Sequence, residues 1–121
     1  MYLLNLPIDK LETYSWGDNS YGELGFEDGK NREEPEKIEY FEKENISTVR
    51  VAAGSRFSIV LDNKGMIYTF GCNSVRECGK SGERFNTPGN INIFTRDHVT
   101  GYDIYAGYNH AACLTSTYSW T

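Results

Sequence analysis

The 121-residue chain is 39% hydrophobic and 24% charged, proportions of an ordinary globular domain rather than a disordered segment. Its 17 acidic and 12 basic side chains give a formal charge of -5, which argues against direct binding to a nucleic-acid backbone. No run approaches the roughly 18–20 apolar residues that cross a bilayer, and the opening MYLLNLPIDK has neither a basic start nor a long apolar core, so the chain reads as soluble and intracellular, cytoplasmic or nuclear, with no membrane partner.

In chain order, residues 2–17 (YLLNLPIDKLETYSWG) can be laid over 57–71 (FSIVLDNKGMIYTFG) with a one-residue gap that places Leu6 on Leu61. They are expected to form a strand pair closing one unit. The stretch 14–25, YSWGDNSYGELG, then returns at 68–79 as YTFGCNSVRECG. A shift of 54 pairs Tyr14 with Tyr68, Gly17 with Gly71, Asn19 with Asn73, Ser20 with Ser74, Glu23 with Glu77 and Gly25 with Gly79. Chance would leave about one match in so short a window, and self-similarity at a fixed period marks a repeat architecture.

Residues 26–44 (FEDGKNREEPEKIEYFEKE) carry eight acidic and four basic side chains, most of the net charge. Such a run reads first as a solvated insertion. Read as a functional surface, its Glu33, Glu34 and Glu36 would form a loop that steers a basic protein partner.

Residues 49–54 (VRVAAG), 57–62 (FSIVLD) and 66–71 (MIYTFG) are rich in β-branched and aromatic side chains, end in turn residues, and read as strands. Asp62-Asn63-Lys64-Gly65 joins the last two as a hairpin: Asp62 and Asn63 can bond the local backbone, and Gly65 accepts positive φ. Neither strand alternates cleanly between apolar and polar, a pattern expected of strands buried on both faces.

The later part of the unit repeats at a shift of 53, pairing Pro35 with Pro88, Ile38 with Ile91, Phe41 with Phe94, Ala53 with Ala106, Gly54 with Gly107 and Leu61 with Leu114. The slip of one residue fits a shortened loop. Residues 115–120 (TSTYSW) would link two strands by a turn three residues shorter and open a further copy at 118–120. The chain is thus one repeat domain: 1–25 the end of one unit, 26–79 a second, and 80–121 an incomplete third.

The segments VAAGSRFSIVLDNKGMIYTFGCNSVRECG (51–79) and YAGYNHAACL (105–114) resemble the repeat of the regulator of chromosome condensation family of β-propellers. The match is a strand ending Ala-Gly, a second strand, a turn, an aromatic-Gly pair, an Asn and a closing Gly. Phe57 stands where that family usually has His, Cys78 where it usually has Leu, and Arg76 where the first copy has Gly22. The resemblance implies an all-β fold, a partial propeller of the seven-bladed type with roughly two blades and strands of a third. It also implies a protein-protein interaction scaffold, or else guanine-nucleotide exchange on a Ran-type small GTPase. No catalytic residue carries over.

A repeat buries its apolar faces only against its neighbours, and about three units are usually needed for stability. Self-association, or a place in a larger ring, is therefore expected, with protein partners otherwise unspecified. Trp16, Gly17, Gly25, Gly54, Phe70, Gly71, Gly79, Gly107 and His110 occupy repeat positions and are expected to be structural, with His110 at least half-buried in the place of Phe57. Cys72, Cys78 and Cys113 align with Asp18, Leu24 and Val60, which make no ligand set, and the gap from Cys72 to Cys78 is too wide for common zinc or redox pairs. No metal, no cofactor and no enzyme activity is expected. His98 beside Asp97 has no nucleophile tied to it by spacing, and the Asn45-Ile46-Ser47 sequon carries little weight without a secretory signal.

Overall fold

The computed structural model describes residues 2–6, 12–91 and 99–117. Their strands form three antiparallel sheets, each built from neighbours in sequence. In the first, β1 (Tyr2–Leu6), β2 (Glu12–Gly17) and β3 (Arg32–Lys37) lie in the order β1-β2-β3. The second runs β4 (Thr48–Ala53), β5 (Phe57–Asp62), β6 (Ile67–Cys72), β7 (Arg84–Asn90). The third pairs β8 (Val99–Ala106) with β9 (Ala111–Thr117).

Registers identify which strands correspond. Tyr14 faces Lys37 and Ser15 faces Glu36 as Tyr68 faces Asn90 and Thr69 faces Gly89, so β2-β3 repeats as β6-β7. Leu4 faces Tyr14 as Val60 faces Tyr68, which makes β1 the counterpart of β5 and puts Leu6 at the level of Asp62, one residue from the expected Leu61. The second sheet is a complete four-stranded blade; the first holds the counterparts of its last three strands, and the third those of its first two. The chain is a partial all-β propeller. Each sequence unit counted from residue 26 or 80 opens on the outer strand of one sheet and continues into the next, so the covalent chain itself ties neighbouring blades together.

The acidic run differs from the solvated insertion expected. Arg32–Lys37 is a strand on the outer edge of the first sheet, where Pro35 and its counterpart Pro88 in β7 remove no needed hydrogen bond. The chain then turns inward: Ile38, whose N–H donates to the Thr13 carbonyl, and Phe41 are buried. Between them starts α1 (Glu39–Lys43), one helical turn that stops where Asn45 takes φ 55. Asn45 N–H bonds the Glu42 carbonyl and Ile46 N–H the Phe41 carbonyl at 2.7 Å, the double closure of a left-handed helix end. Two apolar anchors hidden among eight carboxylates convert a polar run into a packed connection.

The hairpin at 62–66 forms as read: Asp62 Oδ1 accepts from Lys64 and Met66 N–H at 2.9 and 2.8 Å, and Gly65 has φ 83. The shorter link is different. Thr115–Thr117 lack the Asn and Gly that tight turns need, and they do not turn but extend β9, Thr117 lying opposite Val99. Residues 118–120 lie outside the described residues.

Packing occurs between the sheets. Leu24, Phe26, Ile38, Phe41, Val60, Tyr68 and Phe70 form the core between the first and second sheets. Ile59, Leu61, Ile67 and Ile104 form that between the second and third. Every residue of β5 and β6 is buried, which is why neither strand alternates. Buried polar contacts cross the first junction: Thr13 and Thr48 hydroxyls meet at 2.6 Å, and Ser58 Oγ donates to the Glu23 carbonyl at 2.6 Å. Trp16 and Phe70, equal by repeat, differ in burial. Phe70 is fully buried against the first sheet, whereas Trp16 is half-buried on the face of β2 turned away from the second.

Phe70→Ala should therefore destabilise the fold by about 3–5 kcal/mol, the range for emptying a packed aromatic site, and Trp16→Ala by less than half as much. Urea denaturation followed by circular dichroism measures both, and equal losses would contradict the assignment of faces.

Candidate functional site

The repeated loop is built twice with the same bonds. In the first copy Asn19 Oδ1 accepts from Leu24 N–H at 3.0 Å, Glu23 Oε1 from Tyr21 N–H at 2.8 Å, and the Leu24 carbonyl from Ser15 Oγ at 2.7 Å. In the second, Asn73 Oδ1 accepts from Cys78 N–H at 2.8 Å, Glu77 Oε1 from Val75 N–H at 3.0 Å, and the Cys78 carbonyl from Thr69 Oγ1 at 2.8 Å. Asn73 Nδ2 also donates to the Lys80 and Gly82 carbonyls. The positive φ values match as well, 112 and 109 at Gly17 and Gly71, 82 and 68 at Gly25 and Gly79. These carboxylates and amides are occupied in holding their own loop.

At one glycine the surroundings of the two copies differ. Gly22 has φ 83, and a Cβ there would fall 2.6 Å from Asn86 Oδ1 and 2.7 Å from the Phe85 carbonyl, because β7 packs directly on it. Arg76 holds the same left-handed conformation at φ 65 with a full side chain, exposed, where no described strand covers it.

A further contact recurs between units. Phe57 stacks on Gly54, and His110 on Gly107, so closely that a Cβ on either glycine would meet the ring at 2.1 Å. His110 is nevertheless exposed rather than half-buried. Phe57 is covered because the third-sheet loop bonds over it, Ser55 N–H to the Tyr108 carbonyl at 3.0 Å, and nothing in the described residues does the same for His110. Cys72 and Cys78 are buried, and Cys78 Sγ donates to the Cys72 carbonyl at 3.3 Å. Burial pushes the Cys78 thiol up to about 11 and lowers Lys80, whose ammonium donates to the Thr69 and Gly89 carbonyls. Burial also lifts the Glu23 carboxyl above its usual range, against the pull of two backbone N–H groups. No group of three or more metal-ligating side chains and no helix long and apolar enough to cross a membrane occurs among the described residues. His98 and Asp97 lie outside them.

What remains is surface. Glu33, Glu34 and Glu36 are exposed along β3. Beside them a groove of about 480 Å³ is lined by Phe26, Tyr40 and the carboxylates of Glu27, Asp28, Glu36 and Glu39 against Arg32 and Lys43. Arg32 bridges Asp28 and Glu36, both at 3.0 Å, and its bond to Asp28, with the Lys30 N–H, holds that carboxyl below the usual carboxylate range. A second groove, of about 360 Å³ and mostly apolar, opens beside β9. Tyr102, Tyr105, Tyr108 and Leu114 are exposed on the third sheet. Sequence reading missed the second groove, although counting repeat positions around Cys78 and Ile91 points to it.

Sheets stacked by repeat and closed by loops with matching bonds define a β-propeller repeat protein. The profile of the regulator of chromosome condensation (RCC1) repeat matches residues 12–61, and a second profile of that repeat matches 49–79. The chain belongs to this family. It is 37% identical over 70 residues to the zebrafish (Danio rerio) protein RCC2 homolog, covering 58% of this chain and 14% of that one. To human E3 ubiquitin-protein ligase HERC2 it is 30% identical over 113 residues, 90% of this chain and 2% of that. The crystal structure of Prp20p from Saccharomyces cerevisiae, described with its binding to Gsp1p and histones, superposes with a TM-score of 0.76 at 22% identity over 93% of this chain and 28% of that one. The chain thus spans a small fraction of each.

Asn73→Ala strips the Cys78 N–H and two loop carbonyls of their partner and should cost about 2–3 kcal/mol. Arg76→Gly relieves a left-handed side chain and should add about 1 kcal/mol. Because the Cys78 pKa is raised above its ordinary 9.0, its contribution is complete below that pH and is lost as pH climbs toward about 11. Urea titrations at pH 8 and 10.5 should show this loss in the wild type and less of it in Cys78→Ala.

Proposed function

We infer that the chain acts as a protein-interaction scaffold, without chemistry of its own, that receives a basic partner at the edge of its first sheet. The observation that carries this reading is the groove beside β3, where four carboxylates outnumber Arg32 and Lys43 and two aromatic rings, Phe26 and Tyr40, flank them. Carboxylates and ring faces together suit a lysine or arginine side chain, and Arg32 already lies 4.3 Å from the Phe26 ring centre in that manner. The asparagine, glutamate and hydroxyl side chains of the two repeated loops are committed to internal bonds. Attraction of this kind speeds encounter and fixes register more than it adds affinity.

A second reading, nucleotide exchange on a Ran-type GTPase, draws support from the family and from the Gsp1p binding attributed to Prp20p. The two separate in one assay, since fluorescent-nucleotide release from such a GTPase should be unchanged by the chain under the scaffold reading. A lysine-rich protein such as a histone should bind in a salt-dependent way, and Glu36→Lys with Glu39→Lys should weaken that binding about tenfold or more. Binding that ignores both salt and these substitutions would exclude this groove.

A further inference from the structure

The apolar groove beside β9 is lined by Ile67, Val75, Cys78, Gly79, Ile91 and Ala112 among others. Its counterpart one unit earlier is filled. There Leu24, Gly25 and Ile38, matching Cys78, Gly79 and Ile91, enclose Phe70, whose ring lies 3.1 Å from where a Cβ on Gly25 would sit. Phe70 gets there because β6 adds to the edge of β5, with Ser58 opposite Phe70. The third-sheet strand that matches β5 is β9, which among the described residues pairs with β8 alone. Among the described residues, an unfilled aromatic socket and an open strand edge therefore lie side by side.

The piece that fits is a strand pair bearing an aromatic side chain at the place of Phe70, and the chain holds one at its other end. Trp16 on β2 is that counterpart, and β3 follows it as β7 follows β6.

Charge marks the same seam. A strand arriving beside Arg76 cannot approach as β7 approaches Gly22; it must stand further out and meet a cation. The residue of β3 that corresponds to Asn86 is Glu33, exposed and acidic.

We propose that a second copy of this chain docks head to tail, its β2 and β3 completing the two-stranded third sheet, with Trp16 in the groove and Glu33 facing Arg76. β1 of the incoming copy holds the edge of β2 that β9 takes over, so it is released in the exchange. The contact is heterologous and propagates unless a ring closes. Each copy adds the strands of two blades, so three or four copies would make six or eight, inside the propeller range of about four to eight. This goes beyond the basic-partner reading, uses a different surface, and is read by self-association rather than by binding to a lysine-rich protein, so either can fail alone.

Sedimentation velocity on the full chain across the micromolar range is expected to show concentration-dependent association. Arg76→Glu and Glu33→Arg, both at exposed positions whose folding circular dichroism checks, should each weaken it about tenfold. The chain carrying both reversals should recover association to within about threefold of wild type, and Val75→Asp at the groove mouth should weaken it without rescue by either charge change. A chain that stays monomeric throughout, or single losses that the double reversal does not restore, overturns the proposal.

Discussion

Burial of Phe70, an aromatic side chain of the second sheet, against the loop and outer connection of the first sheet is the contact on which the rest of the structure depends. Phe70 meets Leu24, Gly25 and Ile38 there, and full burial of such a side chain contributes on the order of 2–3 kcal/mol. For the ring to enter, the loop must be rigid, and the bonds around Asn19 and Asn73 make it so. For the loop to be approached, its backbone must be bare, which Gly25 provides and Gly79 repeats. Aromatic, asparagine and glycine recur together because each makes the others useful.

This division of labour explains what was legible in the sequence. The loop could be read because almost every side chain of 14–25 has a fixed task that the second copy must also perform, so identity survives at Asn73, Glu77 and Gly79. The double-faced burial of β5 and β6 could be read from their lack of alternation. The packed connection at Ile38 and Phe41 was obscured because two anchors carry little weight beside eight carboxylates. The apolar groove could not be read directly, since no motif of its own encodes it. It exists because β9 extends through Thr117 and stands without a third strand among the described residues.

The exposure of His110 and the side chain on Arg76 have one origin. Both sit where an inner unit would be covered, His110 as Phe57 is by the Tyr108 loop, and Arg76 as Gly22 is by β7. At Arg76 the constraint that selects glycine at position 22 is lifted, and a bulky side chain costs only its local conformational strain. That one departure marks a place where the contact made at Gly22 is missing among the described residues.

The two junctions also differ in how they are specified. At the first, Thr13 meets Thr48 through hydroxyls and Ser58 bonds the Glu23 carbonyl, directional contacts that fix one sheet's register on the next. At the second, the matching positions are Ile67 with Gly101 and Ala111 with Glu77. A large apolar residue there fits beside a small one, since a Cβ on Gly101 would lie only 3.0 Å from Ile67 Cδ1, and the hydroxyl of Ser58 has no equivalent at Ala111. Apolar fit and backbone bonds align the second junction, Gly101 N–H to the Gly65 carbonyl at 2.8 Å and Ser55 N–H to the Tyr108 carbonyl at 3.0 Å. Side-chain hydroxyls thus specify the first junction, whereas backbone groups and the fit of a large residue beside a small one specify the second.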